Sequence, residues 1–196
     1  WISYQEILEL KQIEDMVEVY YNSGQFPNTI RHLEKEFCDP FTMYQQLAAF
    51  YGQQGWWGQS HSRMQRFEML REFIHSVSEN GIYDELLLLD LYLRENSKSR
   101  PKWAPDLQNE KKQFLDWFRQ EEQEHQVLKG YEGFSARQMM NMVHLERFSI
   151  ETAQLCGWEQ QKEAAQECWV LFDYRNRNAL DQNAGIYFIK SSLASL

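Results

Sequence analysis

The stretch Ser3–Gly24, SYQEILELKQIEDMVEVYYNSG, contains a complete set of signals for one α-helix. Ser3 and Glu6 have the spacing of a capping box, in which two side chains satisfy free amides of the first turn. Apolar residues follow at helical spacing, at Ile7, Leu10, Ile13, Val17 and Tyr20. Gly24 suits the left-handed position that often follows a helix end. The stretch therefore predicts a helix over Ser3–Asn22.

Similar signals recur along the first two thirds of the chain. Asp39-Pro40 is a capping residue followed by a proline, a pair that is typical of a helix start. The further predicted helices begin near Pro27 and Pro40 and then span about Ser62–Ser78, Tyr83–Arg94 and Leu107–Gln126. Asn96–Pro105 is predicted to be a linker, because it holds two of the four prolines. We therefore expect a body of about six helices.

The residues after Gly133 favour strands, because β-branched and aromatic residues become frequent. Strands are predicted over Met142–Ile150, Cys168–Tyr174 and Gly185–Lys190, with a helix over Gln154–Gln166 and a loop over Arg175–Asn183. The predicted fold is mainly α, in the α+β class: a helical body followed by a small C-terminal antiparallel sheet. The predicted subdomains are residues 1–126 and 127–196, or one continuous domain.

Composition excludes several classes of partner. The formal net charge of −9 disfavours nucleic acid and anionic membranes as ligands. No apolar run approaches the roughly 20 residues that a membrane-spanning helix needs. Cys38, Cys156 and Cys168 are far apart, which favours reduced thiols in a cytoplasmic protein. These features leave the oligomeric state open.

Complete catalytic and metal motifs are missing from the sequence. It has no Gly-x-Ser-x-Gly turn and no glycine-rich phosphate loop. No two of the five histidines are four residues apart, so a His-Glu-x-x-His zinc helix is also missing. We therefore expect no catalytic residue and no metal ligand set within the chain.

His144-x-Glu146 is the closest pairing of chemically active side chains. On a strand the two would share one face, because side chains alternate with a period of two. They could bind a metal or act as an acid–base couple. A hydrogen bond between imidazole and carboxylate at a sheet edge is the favoured interpretation, because two ligands alone rarely form a site.

Asp173 and Arg175 lie at the start of the predicted loop, with Arg177 and Asp181 close by in sequence. Arg175 could bind a ligand carboxylate or phosphate, since its guanidinium offers two parallel donors. The favoured alternative is a loop that is held together by its own Asp–Arg pairs.

Two further features could mark a protein contact. Trp56 and Trp57 lie in a break rich in Gly and Gln, and could either form a contact surface or fill the gap between two helices. Glu121 and Glu124, near the end of the sixth predicted helix, are interpreted as part of a solvated acidic face.

The first helix also carries a family resemblance. Ile2–Glu18, followed by Tyr20–Phe26, resembles the uncharacterised C-terminal domain of bacterial cobalamin-binding radical SAM proteins. In that family a similar segment, LK-x-IE-x-MVE-x-YYNSG-x-F, follows the radical SAM barrel. Phe172–Arg175 also looks like the family. The chain begins with Trp1, and we expect it to be a domain excised from a longer protein.

The resemblance implies a parent enzyme that carries a 4Fe-4S cluster, S-adenosylmethionine and cobalamin. This chain lacks the family's Cys-x-x-x-Cys-x-x-Cys cluster motif and its Asp-x-His-x-x-Gly cobalamin motif, so those cofactors are expected to belong to the parent's other domains. The expected partners are the radical SAM and cobalamin-binding domains of the same polypeptide.

Three functional hypotheses remain open from the sequence. The first is a non-catalytic accessory domain that covers or shapes the substrate site of the barrel. The second is a protein-interaction module that recruits a substrate protein or an electron donor, through Trp56, Trp57 and the acidic helix. The third is a small independent enzyme, which requires His144, Glu146 and Arg175 to converge in one pocket.

Overall fold

A computed structural model describes residues 1–158 and 167–189. The chain divides into two compact units, of which unit 1 is Trp1–Asp90 and unit 2 begins at Leu91. The subdomain boundary predicted after residue 126 lies inside unit 2, where the helix before it and the helix after it pack together.

Unit 1 is helical. Its α-helices are α1 (Tyr4–Val17), α2 (Pro27–Leu33), α3 (Pro40–Gln54), α4 (Arg63–Val77) and the greater part of α5 (Ile82–Arg94). α1 continues as a π-helix over Glu18–Asn22, and α2 continues as a 3₁₀-helix over Glu34–Glu36. Ser3, Asp39 and Ser62 cap α1, α3 and α4 through their side chains, as their positions in the sequence predict.

The core of unit 1 is rich in aromatic side chains. Phe26 is fully buried and lies 5.1 Å from the Tyr20 ring and 4.5 Å from the Phe67 ring, measured between centroids. The Tyr20 and Tyr51 hydroxyls form a buried hydrogen bond with each other. Such rings each bury a large apolar area, and they hold α1, α3 and α4 together around the segment before α2.

A buried carboxylate completes α2, whose own N-cap, Phe26, has no capping side chain. Asp90, in α5, accepts hydrogen bonds from the backbone and side chain of Asn28, at 3.1 and 2.8 Å. It accepts two more from the backbone and hydroxyl of Thr29, at 2.8 and 2.7 Å. Asp90 therefore replaces the missing cap from a distant part of the chain.

Unit 2 contains a three-stranded antiparallel sheet in the order β1-β2-β3. The strands are β1 (Val143–Ser149), β2 (Glu167–Arg177) and β3 (Ala184–Ile189), and the helices are α6 (Lys111–Glu124), α7 (Ala136–Met142) and α8 (Ile150–Leu155). His144 faces Phe172 in the register of β1 and β2, and Val143 faces Asp173. Trp117 and Phe118 of α6 join Val143, Leu145 and Leu171 in one core cluster.

The predicted α+β fold is confirmed, with helices followed by a small antiparallel sheet. α7 was not predicted, although Ser135 and Gln138 form a capping box at its start. The helix predicted over Gln154–Gln166 is not confirmed in its described part: α8 ends at Leu155, and Cys156, Gly157 and Trp158 are not helical. Residues 159–166 lie outside the described residues. β2 runs on to Arg177, so the connection to β3 is shorter than the predicted loop.

Candidate functional site

The most deeply buried charged group of the sheet is Glu146 in the edge strand β1, whose side chain has no exposed surface. The Arg100 guanidinium donates two hydrogen bonds to this carboxylate, Nη1 to Oε2 at 2.6 Å and Nη2 to Oε1 at 2.9 Å. The Arg147 amide donates a third, at 3.0 Å. Burial alone would raise the pKa of Glu146, but its hydrogen bonds from His144 and Arg100 and the Arg100 charge outweigh burial and lower it.

His144 lies between Glu146 and an aromatic ring. Its imidazole stacks on the Tyr92 ring with 3.6 Å between centroids, and its Nε2 lies 3.3 Å from Oε2 of Glu146. Burial lowers the pKa of His144, against the opposing effect of the Glu146 carboxylate. Because an ionised carboxylate can only accept, Nε2 carries the hydrogen in this contact. The imidazole is therefore a neutral donor that is fixed in one orientation.

Two clefts open beside this cluster, and Arg100 and His144 line both. One, of about 420 Å³, is also lined by Lys98, Lys111 and Phe114. The other, of about 390 Å³, is also lined by Tyr92 and Asn96. Burial raises the pKa of the Tyr92 phenol to about 12, so this hydroxyl keeps its proton at neutral pH.

Asp173 and Tyr131 form a second buried polar contact, in β2 and in the segment before α7. The Tyr131 hydroxyl donates to Oδ1 of Asp173 at 2.5 Å, and the backbone amides of Arg175 and Asn176 donate to the same oxygen at 2.9 and 3.3 Å. Burial, followed by the Asp173 contact, raises the pKa of Tyr131. Asp173 thus holds the end of β2 against the segment before α7 that contains Tyr131.

Arg175 extends from this point over two aromatic rings. Its guanidinium carbon lies 4.9 Å from the centroid of Tyr131 and 4.7 Å from that of Phe134. Nη1 also donates to the carbonyl of Gly130 at 3.4 Å. Within residues 1–158 and 167–189, no carboxylate forms an ion pair with Arg175. The loop is therefore not held by an Asp–Arg pair at this position, contrary to the favoured interpretation of the sequence.

The four predicted ligand-binding residues form two separate groups. His144 and Glu146 share one face of β1, and the register places Asp173 opposite Val143, whose side chain is on the other face. Arg175 contacts the Tyr131 ring, which also binds Asp173. The independent-enzyme hypothesis required His144, Glu146 and Arg175 to converge in one pocket. Instead, Arg175 lines one cleft of the described chain and His144 lines others.

Trp56 and Trp57 are half-buried against the end of α3 in unit 1. The Tyr51 ring lies 5.1 Å from Trp56 and 5.3 Å from Trp57, between centroids. The carbonyl of Trp56 also contacts Nε2 of His61 at 2.9 Å. Both indoles contribute to packing inside unit 1, which leaves only part of each ring for a partner.

The acidic end of α6 is not a uniform solvated face, which corrects the interpretation of Glu121. Glu121 is 4% exposed, and its carboxylate accepts from the amides of Val127 and Leu128, both at 2.6 Å. Glu122 accepts from the amide of Ala136 at 2.8 Å. These two carboxylates anchor the chain that follows α6, whereas Glu124 is exposed.

The first half of α1 carries a surface of large apolar side chains that unit 1 leaves exposed. We call this surface the α1 apolar end, and it consists of Ile2, Tyr4, Ile7, Leu8 and Leu10, with exposed fractions between 38% and 76%. Burial on α1 begins only at Ile13 and Met16. A helical segment with apolar residues on several sides normally packs against another surface.

No group of three metal-binding side chains occurs within the part of the chain that the structure describes. Cys38 and Cys168 are in different units, and Cys168 is buried in β2. None of the helices among the described residues combines the length and apolar character that crossing a bilayer requires.

A family model described as "Protein of unknown function (DUF4080)" matches residues 1–172. The chain belongs to the DUF4080 family. The DUF4080 match includes the α1 apolar end, Arg100, His144 and Glu146, and it ends just before Asp173 and Arg175. No curated protein and no solved structure matches the chain.

The sequence did not reveal that Arg100 and Tyr92 contact the pair formed by His144 and Glu146 in this DUF4080 chain. Arg100 was part of a predicted linker, 46 residues from Glu146, and no local spacing connects the two. Tyr131 carried no signal either, since it contacts Asp173 from 42 residues away. Ile7 and Leu10 were part of the helical spacing that predicted α1, but that spacing does not show whether a side chain is buried or exposed.

Proposed function

We propose that this chain is a non-catalytic accessory domain of a cobalamin-binding radical SAM enzyme, which covers or shapes the substrate site of that enzyme's barrel. The exposure of the α1 apolar end is the observation that carries the proposal. In the family that the first helix resembles, the equivalent segment follows the barrel. The barrel is therefore the partner that would bury these side chains.

The energetic argument rests on apolar area. Burying a large aliphatic or aromatic side chain contributes about 1.5–3 kcal/mol relative to full exposure. Ile7 and Leu8 are about 40% exposed and Tyr4 is 76% exposed, so each retains apolar surface that a partner could cover. Docking would fix the domain over the barrel, where it could exclude water from reactive intermediates.

The cysteines of this chain do not fit the iron–sulfur cluster of the proposed parent. Cys38, Cys156 and Cys168 lack the spacing of a cluster motif, and Cys38 and Cys168 belong to different units. In this proposal the barrel and the cobalamin-binding domain hold the cofactors. The chain contributes surface, orientation and the exclusion of water.

The proposal is tested by measuring complex formation between this chain and a cobalamin-binding radical SAM barrel from a parent enzyme, by anaerobic sedimentation velocity. The double variant Ile7→Ser, Leu8→Ser should weaken the complex about tenfold or more, because it removes apolar contact area. Leu180→Ser is the matched control, since Leu180 is 96% exposed on the loop between β2 and β3.

A complex that forms with the unchanged chain and with Leu180→Ser, but not with the double variant, is the expected result. The proposal fails if the barrel does not bind the chain, or if the double variant binds as well as the control. Capture of a different protein through the same residues would instead support a recruitment module.

A further inference from the structure

Unit 2 contains a cleft of about 810 Å³ around Arg175, and its size is in the range of small-molecule sites. Apolar residues, including Val127 and Leu128, supply part of its lining. Lys129, Arg175 and Tyr187 add polar groups to the lining. This combination of apolar walls and a few polar groups is typical of a site for an organic ligand.

Arg175 is held in position by contacts that include no ion pair within residues 1–158 and 167–189. Its guanidinium packs over the Tyr131 and Phe134 rings, at 4.9 and 4.7 Å, and its backbone amide donates to Asp173. Nη1 makes one long hydrogen bond, of 3.4 Å, to the Gly130 carbonyl. The two ring contacts restrict the position of the guanidinium. The hydrogen bond to Gly130 uses one N–H group, and within residues 1–158 and 167–189 the remaining side-chain N–H groups are available for a ligand.

The charges that line the cleft favour an anion. Lys129 and Arg175 are cationic, and Asp173 is the one acidic residue in the lining that the described chain supplies. The Asp173 carboxylate already accepts from the Tyr131 hydroxyl and from two backbone amides. The cleft therefore has a net positive lining, in a chain whose net charge is −9.

We propose that this cleft binds an organic carboxylate, with the carboxylate on Arg175 and the apolar part of the ligand against Val127 and Tyr187. A planar guanidinium matches a carboxylate with two parallel hydrogen bonds, and the apolar lining favours a ligand with a hydrocarbon or aromatic body over inorganic phosphate. This inference is independent of the proposed docking of α1, because it depends on different residues in the other unit.

The test is a titration of the whole chain, labelled with ¹⁵N, with 4-phenylbutyrate, followed by amide NMR spectra. Parallel titrations use inorganic phosphate and the neutral analogue 4-phenylbutanol. The expected result is that phenylbutyrate shifts the amide signals of Lys129, Asn176 and Tyr187 and binds more tightly than either of the other two probes.

Three variants assign the binding to Arg175. Arg175→Gln should weaken phenylbutyrate binding about tenfold or more, because one partner of a charged pair is lost. Arg175→Lys should give an intermediate affinity, because it keeps the charge and loses the planar fork. Arg137→Gln is the matched control, since Arg137 is exposed on α7 in the same unit. Dispersed amide spectra for each variant confirm that it is folded.

Each alternative result overturns the inference. If phenylbutanol bound as tightly as phenylbutyrate, the cleft would bind the apolar body of the ligand and the charge of Arg175 would have no role. Tighter binding of phosphate would mean a different ligand class. Equal affinities for Arg175→Gln and Arg137→Gln, or no binding of phenylbutyrate up to about 10 mM, would remove Arg175 as the anchor.

Discussion

Arg100 and Glu146 form a two-point ion pair between the segment before α6 and the edge strand β1, with both hydrogen bonds at 2.9 Å or less. The Glu146 side chain is fully buried, whereas the Arg100 side chain is 26% exposed. Removing the cation from a buried ion pair strongly destabilises the folded protein, because the carboxylate is then buried without a partner. The pair therefore determines where the segment before α6 can lie in unit 2.

Replacing Arg100 with Met should lower the free energy of unfolding by about 3 kcal/mol, because Glu146 would remain buried without its cation. The double variant Arg100→Met, Glu146→Leu should recover most of that loss, since an apolar pair needs no compensating charge. Urea denaturation of both variants measures the two values. A double variant that is less stable than Arg100→Met would contradict this account of the pair.

The pKa of His144 should lie below its ordinary value of 6.5, because the imidazole is buried. A lowered pKa in the folded state means that His144 stabilises the protein above pH 6.5 and that this contribution is lost as the pH falls through the folded pKa. Glu146→Gln should lower the pKa further, since Glu146 favours the charged imidazole. NMR titration of the imidazole protons checks both statements.

Glu132→Gln is the control for that titration, because Glu132 is exposed in the same unit. It should leave the His144 titration unchanged. A higher pKa for His144 in Glu146→Gln would show that the contact between the two side chains is not formed in solution.

Asp90→Asn should destabilise unit 1 by about 2 kcal/mol at neutral pH, because an amide cannot accept all four hydrogen bonds from Asn28 and Thr29. Asp15→Asn is the matched control, on the exposed side of α1. Thermal or urea unfolding compares the two variants with the unchanged chain. An equal, small effect of both substitutions would mean that Asp90 does not cap α2.

The contribution of Asp90 to the free energy of unfolding depends on pH. Burial raises the pKa of Asp90 to about 6, against the lowering effect of its four hydrogen bonds. A pKa raised above the unfolded value of 3.8 contributes stability that is present at low pH and is lost as the pH rises through about 6. The difference in stability between the unchanged chain and Asp90→Asn should therefore shrink between pH 4 and pH 7.

Gly185→Ala should destabilise the pairing of β2 and β3 by about 1–3 kcal/mol, because the new Cβ would lie 2.7 Å from the backbone oxygen of Asn176. Gly130→Ala, in the same unit, would meet no atom within 4 Å. Its effect on unfolding should stay within about 0.5 kcal/mol. Similar unfolding midpoints for the two variants would contradict the close approach at Gly185.

Local signals predicted the elements of this fold well, because caps and periodicity act within a few residues. Ser3 and Ser62 mark helix starts that the structure confirms, and the apolar run at Cys168 marks β2. The capping box at Ser135 was present in the sequence but was overlooked, so α7 was missed. The π-helix that follows Val17 could not be predicted, because a 3.6-residue pattern does not distinguish it from an α-helix.

The site residues depended on contacts that no spacing reveals. The hydrogen-bonded pair of His144 and Glu146 followed from the period of a strand, and the structure has it. Its partner Arg100 is brought in by tertiary packing across 46 residues. Arg175 was singled out from its residue type, but the aromatic rings that orient it come from a separate segment. Only the folded chain shows that these groups lie on opposite faces of the sheet.

The most direct test of the docking proposal is hydroxyl-radical footprinting of the chain alone and of the parent enzyme that contains the barrel. This method measures the exposure of individual side chains. We predict that Tyr4, Ile7 and Leu8 are oxidised readily in the chain alone and are protected in the parent, while Leu180 is oxidised equally in both. Equal oxidation of Tyr4, Ile7 and Leu8 in the two samples would contradict the proposal that the barrel covers the α1 apolar end.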